Sequence, residues 1–164
     1  MKKYGKKTVD IISEIEIYNY FNYRVRYIDQ INDKDEFVAD LILDISVMKN
    51  NMFSLSDYQP KCTEDKELFA SLYTGYEKYK DAGSKIDFDD MLVMAKEVLD
   101  TNPEILLYLR SCYSYIQVDE YQDTNYIQRD IVYSLAGENG NLAVVGDDDQ
   151  SIYMFRGAKP EIML

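Results

Sequence analysis

Tyr115-Ile116-Gln117-Val118-Asp119-Glu120 and, further along, Leu142-Ala143-Val144-Val145-Gly146-Asp147 are the two stretches that decide the fold. Each is a short, largely apolar run that stops abruptly at acids, the pattern of a buried-type strand. Between them, from about Thr124 to Leu135, the apolar residues recur at helical spacing, and Gly137-Glu138-Asn139-Gly140-Asn141 then makes a turn. Strand, helix and strand at this spacing form a βαβ unit, whose two strands run parallel.

Upstream the chain reads as mostly helical. Asp35 to Met48 places Val38, Leu41, Ile42, Ile45 and Met48 on one face. Residues 50–66 contain Pro60 and little periodicity, and form a connection. A helix over about Glu64 to Asp81 carries Leu68, Leu72, Tyr76 and Tyr79, with Gly83 as its stop. Asp87 caps a further helix, with Asp89 and Asp90 in its first turn and a stripe of Phe88, Met91, Leu92, Ala95, Val98 and Leu99. Pro103 opens another short helix. Over 21–28, Phe21, Tyr23, Val25 and Tyr27 alternate with Asn22, Arg24 and Arg26, which predicts a half-buried strand with a solvated basic face.

The 164 residues contain no histidine. This excludes Ser-His-Asp and Cys-His nucleophiles and every His-containing zinc site, and leaves base chemistry to carboxylates, tyrosine or lysine. Cys62 and Cys112 form no CxxC and suit a reducing compartment. The net charge of −12 is uneven: 12 Lys/Arg face 15 Asp/Glu in residues 1–82, and 6 face 15 in residues 83–164. A stand-alone duplex binder that neutralises phosphates is basic, so this balance points to a metal-holding chain or one part of a larger assembly. Met1-Lys2-Lys3 begins like a signal peptide, but Asp10, Glu14 and Glu16 interrupt any apolar core, and no run reaches the 18 or so residues of a membrane span. The expectation is a soluble, cytoplasmic protein.

In a parallel α/β sheet, ligands sit beyond the carboxyl ends of the strands. Here those ends carry Asp119 and Glu120, then Asp147, Asp148 and Asp149. Carboxylates gathered at one edge repel unless a cation neutralises them, and Mg²⁺, which takes oxygen ligands and bridges to phosphates, fits. A neighbouring carboxylate could draw a proton from an attacking water, and the Gln150 amide could sense a phosphate or orient that water. Taken singly, each of these features also fits a solvated loop.

The longer strings narrow the reading. Val118-Asp119-Glu120-Tyr121-Gln122-Asp123-Thr124-Asn125, and Gly146-Asp147-Asp148-Asp149-Gln150-Ser151-Ile152-Tyr153-Met154-Phe155-Arg156-Gly157-Ala158, closely resemble motifs II and III of the UvrD/Rep/PcrA group of superfamily 1 DNA helicases. Ile86-Asp87-Phe88-Asp89-Asp90-Met91-Leu92 is similar to the segment that precedes motif II in that family. The close likeness covers about residues 65–160; residues 1–64 resemble only loosely the helical subdomain inserted in the first motor domain.

The resemblance implies an α/β fold: part of a RecA-like (P-loop NTPase) parallel sheet over residues 85–164, and a mostly helical inserted subdomain over 1–84. It implies ATP and Mg²⁺ as cofactors, with Asp119 holding the metal through water and Glu120 as general base. Gln122 and Gln150 would serve the nucleotide, Gln150 at the γ-phosphate. Asp123 and Asp147 would couple hydrolysis to DNA, and Tyr153, Phe155 and Arg156 would meet single-stranded DNA. Phe155 stands where many relatives have tryptophan; aromatic stacking on a base contributes about 1–3 kcal/mol.

The GxxxxGK[ST] phosphate loop does not occur in these residues; Gly5-Lys6-Lys7-Thr8 lacks its first glycine and spacing. The expectation is therefore an internal piece of a 3′–5′ helicase, inactive alone, whose partners are single-stranded DNA and the remaining helicase domains. Open sheet edges would also allow self-association. Two other readings stay open: a non-catalytic DNA- or protein-binding remnant, and a piece of a RecB- or AddA-like helicase–nuclease.

Overall fold

Ser13 starts the first helix. Its backbone is extended (φ −77°, ψ 154°) and its hydroxyl accepts from the Glu16 amide at 3.2 Å, while Glu14 and Glu16 place negative charge in the first turn. The computed structural model describes residues 9–138 and 140–147. In chain order these form β1 (Asp10–Ile11), α1 (Glu14–Val25), α2 (Lys34–Asn50), α3 (Lys66–Gly83), β2 (Lys85–Ile86), α4 (Phe88–Thr101), α5 (Pro103–Cys112), β3 (Ile116–Val118), a 3-10 turn (Tyr121–Asp123), α6 (Tyr126–Ala136) and β4 (Leu142–Val144). The chain divides into two compact units: one runs to Met48 and resumes over Phe53–Asp90, and the other comprises Lys49–Met52 and the residues from Met91 on.

The strand expected over 21–28 is not formed; α1 occupies most of that span. The same residues satisfy a period of 3.6: Ile17, Phe21 and Val25 follow one another at i, i+4 and pack into the core, whereas Tyr23 and Tyr27, which the alternation would bury, are 67% and 75% exposed. The Ser13 cap decides in favour of the helix, and among the described residues this span has no strand partner. Arg24 lies over the Tyr20 ring, 3.5 Å from its centroid.

In this first unit α1 packs with α2 and α3. Val38, Leu41, Ile45 and Met48 of α2 are buried as their spacing predicts, and Phe69, Leu72 and Tyr76 of α3 join them. Tyr20, Phe21, Tyr76 and Tyr79 form a cluster of edge-on and tilted rings with centroids 4.7–5.5 Å apart. Buried Asp44 ties the connection after α2 to the core, accepting from the Tyr58 hydroxyl at 2.7 Å and from the Lys61 and Cys62 amides at 2.7 and 2.8 Å. Beside it, burial and the Asp44 carboxylate push the Cys62 thiol up. Helix α3 runs through Gly83, and Ser84, not the glycine, takes the left-handed turn (φ 51°) that ends it. The chain then pairs β2 in parallel with β1, Asp10 opposite Lys85 and Ile11 opposite Ile86.

Asp87 caps α4 as expected: its Oδ1 accepts from the Asp90 amide at 2.7 Å, and Asp90 Oδ2 accepts in return from the Asp87 amide at 3.0 Å. Both carboxylates also receive the buried Lys80 ammonium of α3, at 2.7 and 2.5 Å, with Glu77 at 2.8 Å and the Tyr76 hydroxyl on Asp87. The apolar stripe of α4 departs from expectation. Only Leu99 is buried, while Phe88 and Met91 stay largely exposed, because the stripe meets no covering surface along most of its length among the described residues.

In the second unit β3 and β4 pair in parallel, Ile116 opposite Leu142 and Val118 opposite Val144, with α6 as the crossover. The βαβ reading holds, but the strands are not buried. Each has one neighbour among the described residues, and Val144 and Val145 are exposed. Arg110 of α5 donates from Nε and Nη2 to the Ser134 carbonyl at 2.8 and 2.6 Å, satisfying the last turn of α6. Gly137 then turns the chain at φ 67°, which a side chain would oppose. Among the described residues, no helix is long and apolar enough to cross a membrane.

Two outcomes follow from this packing. Replacing Lys80 by Ala removes the ammonium that three carboxylates share and is expected to lower unfolding free energy by about 3–5 kcal/mol, measured by urea denaturation. Burial pushes the hydroxyls of Tyr20, Tyr58 and Tyr76 up from 10.0 and that of Tyr121 up to about 12. The folded chain therefore holds protons that the unfolded chain releases near pH 10. Stability is expected to be full below pH 10 and to fall as pH rises through 12, with tyrosinate absorbance and loss of circular dichroism appearing together.

Candidate active site

Parallel register brings the exits of β3 and β4 to one edge. Two backbone bonds extend the pairing past the strands: Val145 N donates to Val118 O at 2.8 Å, and Tyr121 N donates to Val145 O at 2.9 Å. Asp119 and Glu120 leave β3 here, both exposed, and Asp119 Oδ1 accepts from the Glu120 amide at 3.0 Å. Glu120 sits in the left-handed region (φ 50°, ψ 43°), a conformation that costs a non-glycine residue of order 1–3 kcal/mol and persists where its surroundings over-determine it.

What holds it is the tight turn that follows. The Asp123 amide donates to Glu120 O at 2.9 Å and the Thr124 amide to Tyr121 O at 3.1 Å. Asn125 then caps α6 with a reciprocal pair, its Oδ1 accepting from the Gln128 amide and its own amide donating to Gln128 Oε1. Tyr121, Gln122, Thr124, Asn125 and Ile127 are buried, so the turn is anchored from below while the two acids face solvent.

Gln122, expected on sequence to serve the nucleotide, is 1% exposed, and its amide is engaged within the protein. Its Nε2 donates to Glu120 Oε2 at 2.6 Å, and its Oε1 accepts from the Asp147 amide at 3.0 Å. The structure thus brings Asp119, Glu120, Gln122 and the backbone of Asp147 together. Asp123 ends the 3-10 turn, its Oδ1 buried without a hydrogen-bond donor among the described residues. Asp148, Asp149, Gln150, Tyr153, Phe155 and Arg156 lie outside the described residues.

Carboxylate oxygens at a strand exit are the donor set Mg²⁺ takes, and a buried acceptor lacking a donor accommodates a ligand's or a water's hydrogen. Among the described residues, three acids come close enough to share an ion only at Glu77, Asp87 and Asp90, whose oxygens lie within 4.8 Å of one another. The Lys80 ammonium already lies among them, which makes that group an ion cluster of the core.

Compared with known proteins, residues 1–164 match the family described as the UvrD/REP helicase N-terminal domain. The chain belongs to this family. The UvrD/REP relatives it resembles include the ATP-dependent DNA helicase PcrA of Staphylococcus aureus (strain Mu50), 41% identical over 115 residues, 70% of this chain and 16% of that protein. PcrA of Staphylococcus epidermidis is 40% identical over the same length, and the putative ATP-dependent DNA helicase YjcD of Bacillus subtilis (strain 168) is 37% identical over 138 residues, 84% of this chain and 18% of that protein. The chain therefore spans less than a fifth of the length of these helicases.

The cap of α6 supports the acid-bearing turn directly. Asn125→Ala is expected to lower stability by about 1 kcal/mol and Asn125→Ser to be close to neutral, measured by thermal and urea unfolding.

Proposed function

We propose that this chain supplies the ATP-hydrolysing edge of a DNA helicase that moves 3′ to 5′ along single-stranded DNA. The observation that carries the reading is the exposure of Asp119 and Glu120 at the exit of β3, beside the backbone of the loop that follows β4. Asp119 would hold the metal of Mg-ATP, which would supply neutralisation of phosphate charge when bound. Glu120 takes the proton of the water aimed at the γ-phosphate. Gln150 reads that phosphate; Asp123 and Asp147 link the site to DNA, which Tyr153, Phe155 and Arg156 contact. Residues 1–84 serve as the helical subdomain inserted in the first motor domain, and 85–164 as part of its RecA-like sheet.

The protein works in the cytoplasm, with single-stranded DNA and the other helicase domains as partners, and the open edges of its strands offer a surface for self-association. These residues contain no GxxxxGK[ST] loop to hold the β- and γ-phosphates, so by themselves they turn ATP over negligibly.

The test is steady-state Mg-ATP hydrolysis with and without single-stranded DNA. The 164-residue chain is expected to show none. In the motor that joins these residues to a phosphate loop, Glu120→Gln is expected to lower DNA-stimulated turnover by about 100-fold or more. Full turnover by Glu120→Gln would sink the base assignment, and DNA-stimulated turnover by the chain alone would sink the inactivity.

A further inference from the structure

We propose that Gln122 is a positioning residue that couples the Glu120 carboxylate to the backbone of the loop leaving β4. The inference rests on the reading of Glu120 as general base and adds the element that aims it.

The chemistry of the two neighbours fixes the amide's orientation. The Asp147 amide only donates, so it must face Oε1; an ionised Glu120 only accepts, so it must face Nε2. A primary amide on a two-carbon stem satisfies both at once. Glutamate at this position would keep the acceptor for Asp147 and turn a second carboxylate on Glu120. Methionine would keep the length and lose both bonds.

The link extends the sheet. After Val145 N to Val118 O and Tyr121 N to Val145 O, the bond from Asp147 N to Gln122 Oε1 is a third rung, made by a side chain where backbone pairing has ended. Gly146 provides the space. A Cβ there would lie 2.5 Å from Gln122 Oε1 and 3.1 Å from the backbone nitrogens of Gln122 and Tyr121. The rung is thus built by two positions together, an amide of fixed length and a residue with no side chain opposite it.

Glu120 needs such a hold. Its left-handed backbone sets where the side chain departs, but its torsions remain free, and the Gln122 amide restrains the carboxylate. Because the other end of that amide is on the Asp147 backbone, a shift of the loop after β4 is delivered to Glu120. Asp147 precedes Gln150, the proposed phosphate reader, by three positions in the sequence.

Two measurements test this. Amide hydrogen exchange on the 164-residue chain should show the Asp147 amide protected. In Gln122→Met it should exchange about tenfold faster or more while Val145 stays protected, and in Gln122→Glu it should stay near the original rate. An Asp147 amide as exchangeable in the original chain as in Gln122→Met would overturn the proposal. In the motor with its phosphate loop, Gln122→Met and Gln122→Glu should each lower kcat about tenfold or more, with KM for ATP within about twofold. Gly146→Ala should act through the same amide, so the Gln122→Met/Gly146→Ala double variant should be no slower than the slower single variant. Should Gln122→Met fail to fold, Gln122→Glu and Gly146→Ala decide. Loss of turnover in Glu120→Gln beside an unchanged kcat in the Gln122 and Gly146 variants would overturn the positioning role and leave the base assignment standing. Full turnover in Glu120→Gln would instead overturn the base assignment, and the positioning role with it.

Discussion

Parallel pairing of Ile116–Val118 with Leu142–Val144 is the constraint on which the candidate site depends. Parallel strands cannot be joined by a tight hairpin, so the chain must cross over, and α6 is that crossover. Parallelism also sends both strands out at the same edge. Acids separated by more than twenty residues of chain thereby leave the sheet at the same edge. Their mutual repulsion is tolerated because Asp119 and Glu120 remain in water while Tyr121 and Gln122 anchor the turn in the interior.

The other unit solves a different electrostatic problem. Lys80 is buried on α3, and a lone buried ammonium is costly; Glu77, Asp87 and Asp90 compensate it. Asp87 and Asp90 also cap α4, so one pair of carboxylates starts a helix and neutralises a cation of the preceding one. In the same unit, tyrosines supply apolar area and place their hydroxyls on acids: Tyr76 on Asp87, Tyr58 on Asp44, Tyr79 on Glu16. Tyr58, Tyr76 and Tyr79 thus serve this acidic chain as residues packed in or against the core that also donate hydrogen bonds.

How much of this was legible beforehand depended on the range of the interaction. The helical stripes of α2 and α3, the Asp87 cap, Pro103 at the start of α5 and the βαβ order are local patterns, and they appear where their spacing places them. Residues 21–28 satisfied two periods at once, and the deciding signal lay upstream, in the Ser13 cap of α1. The apolar run of α4 and those of β3 and β4 read as buried because composition registers an appetite for cover, not whether a covering surface is at hand. Asp119 and Glu120 were readable as strand-end acids. The link made by Gln122 was not, since its partner is a backbone amide twenty-five positions away and only the register of the sheet brings the two together.

The two thiols differ in a way that gives the molecule a natural asymmetry. Cys62 lies against buried Asp44, with its proton retained by burial and by that carboxylate, and a protonated thiol is a poor nucleophile. Cys112, at the end of α5, is exposed and free. An electrophile added at neutral pH thus meets one available sulfur per folded chain, and it lies in the unit that carries the acid-bearing strands. A dye or spin label attached there reports on that unit alone, and the later appearance of a second reactive thiol marks the opening of the other.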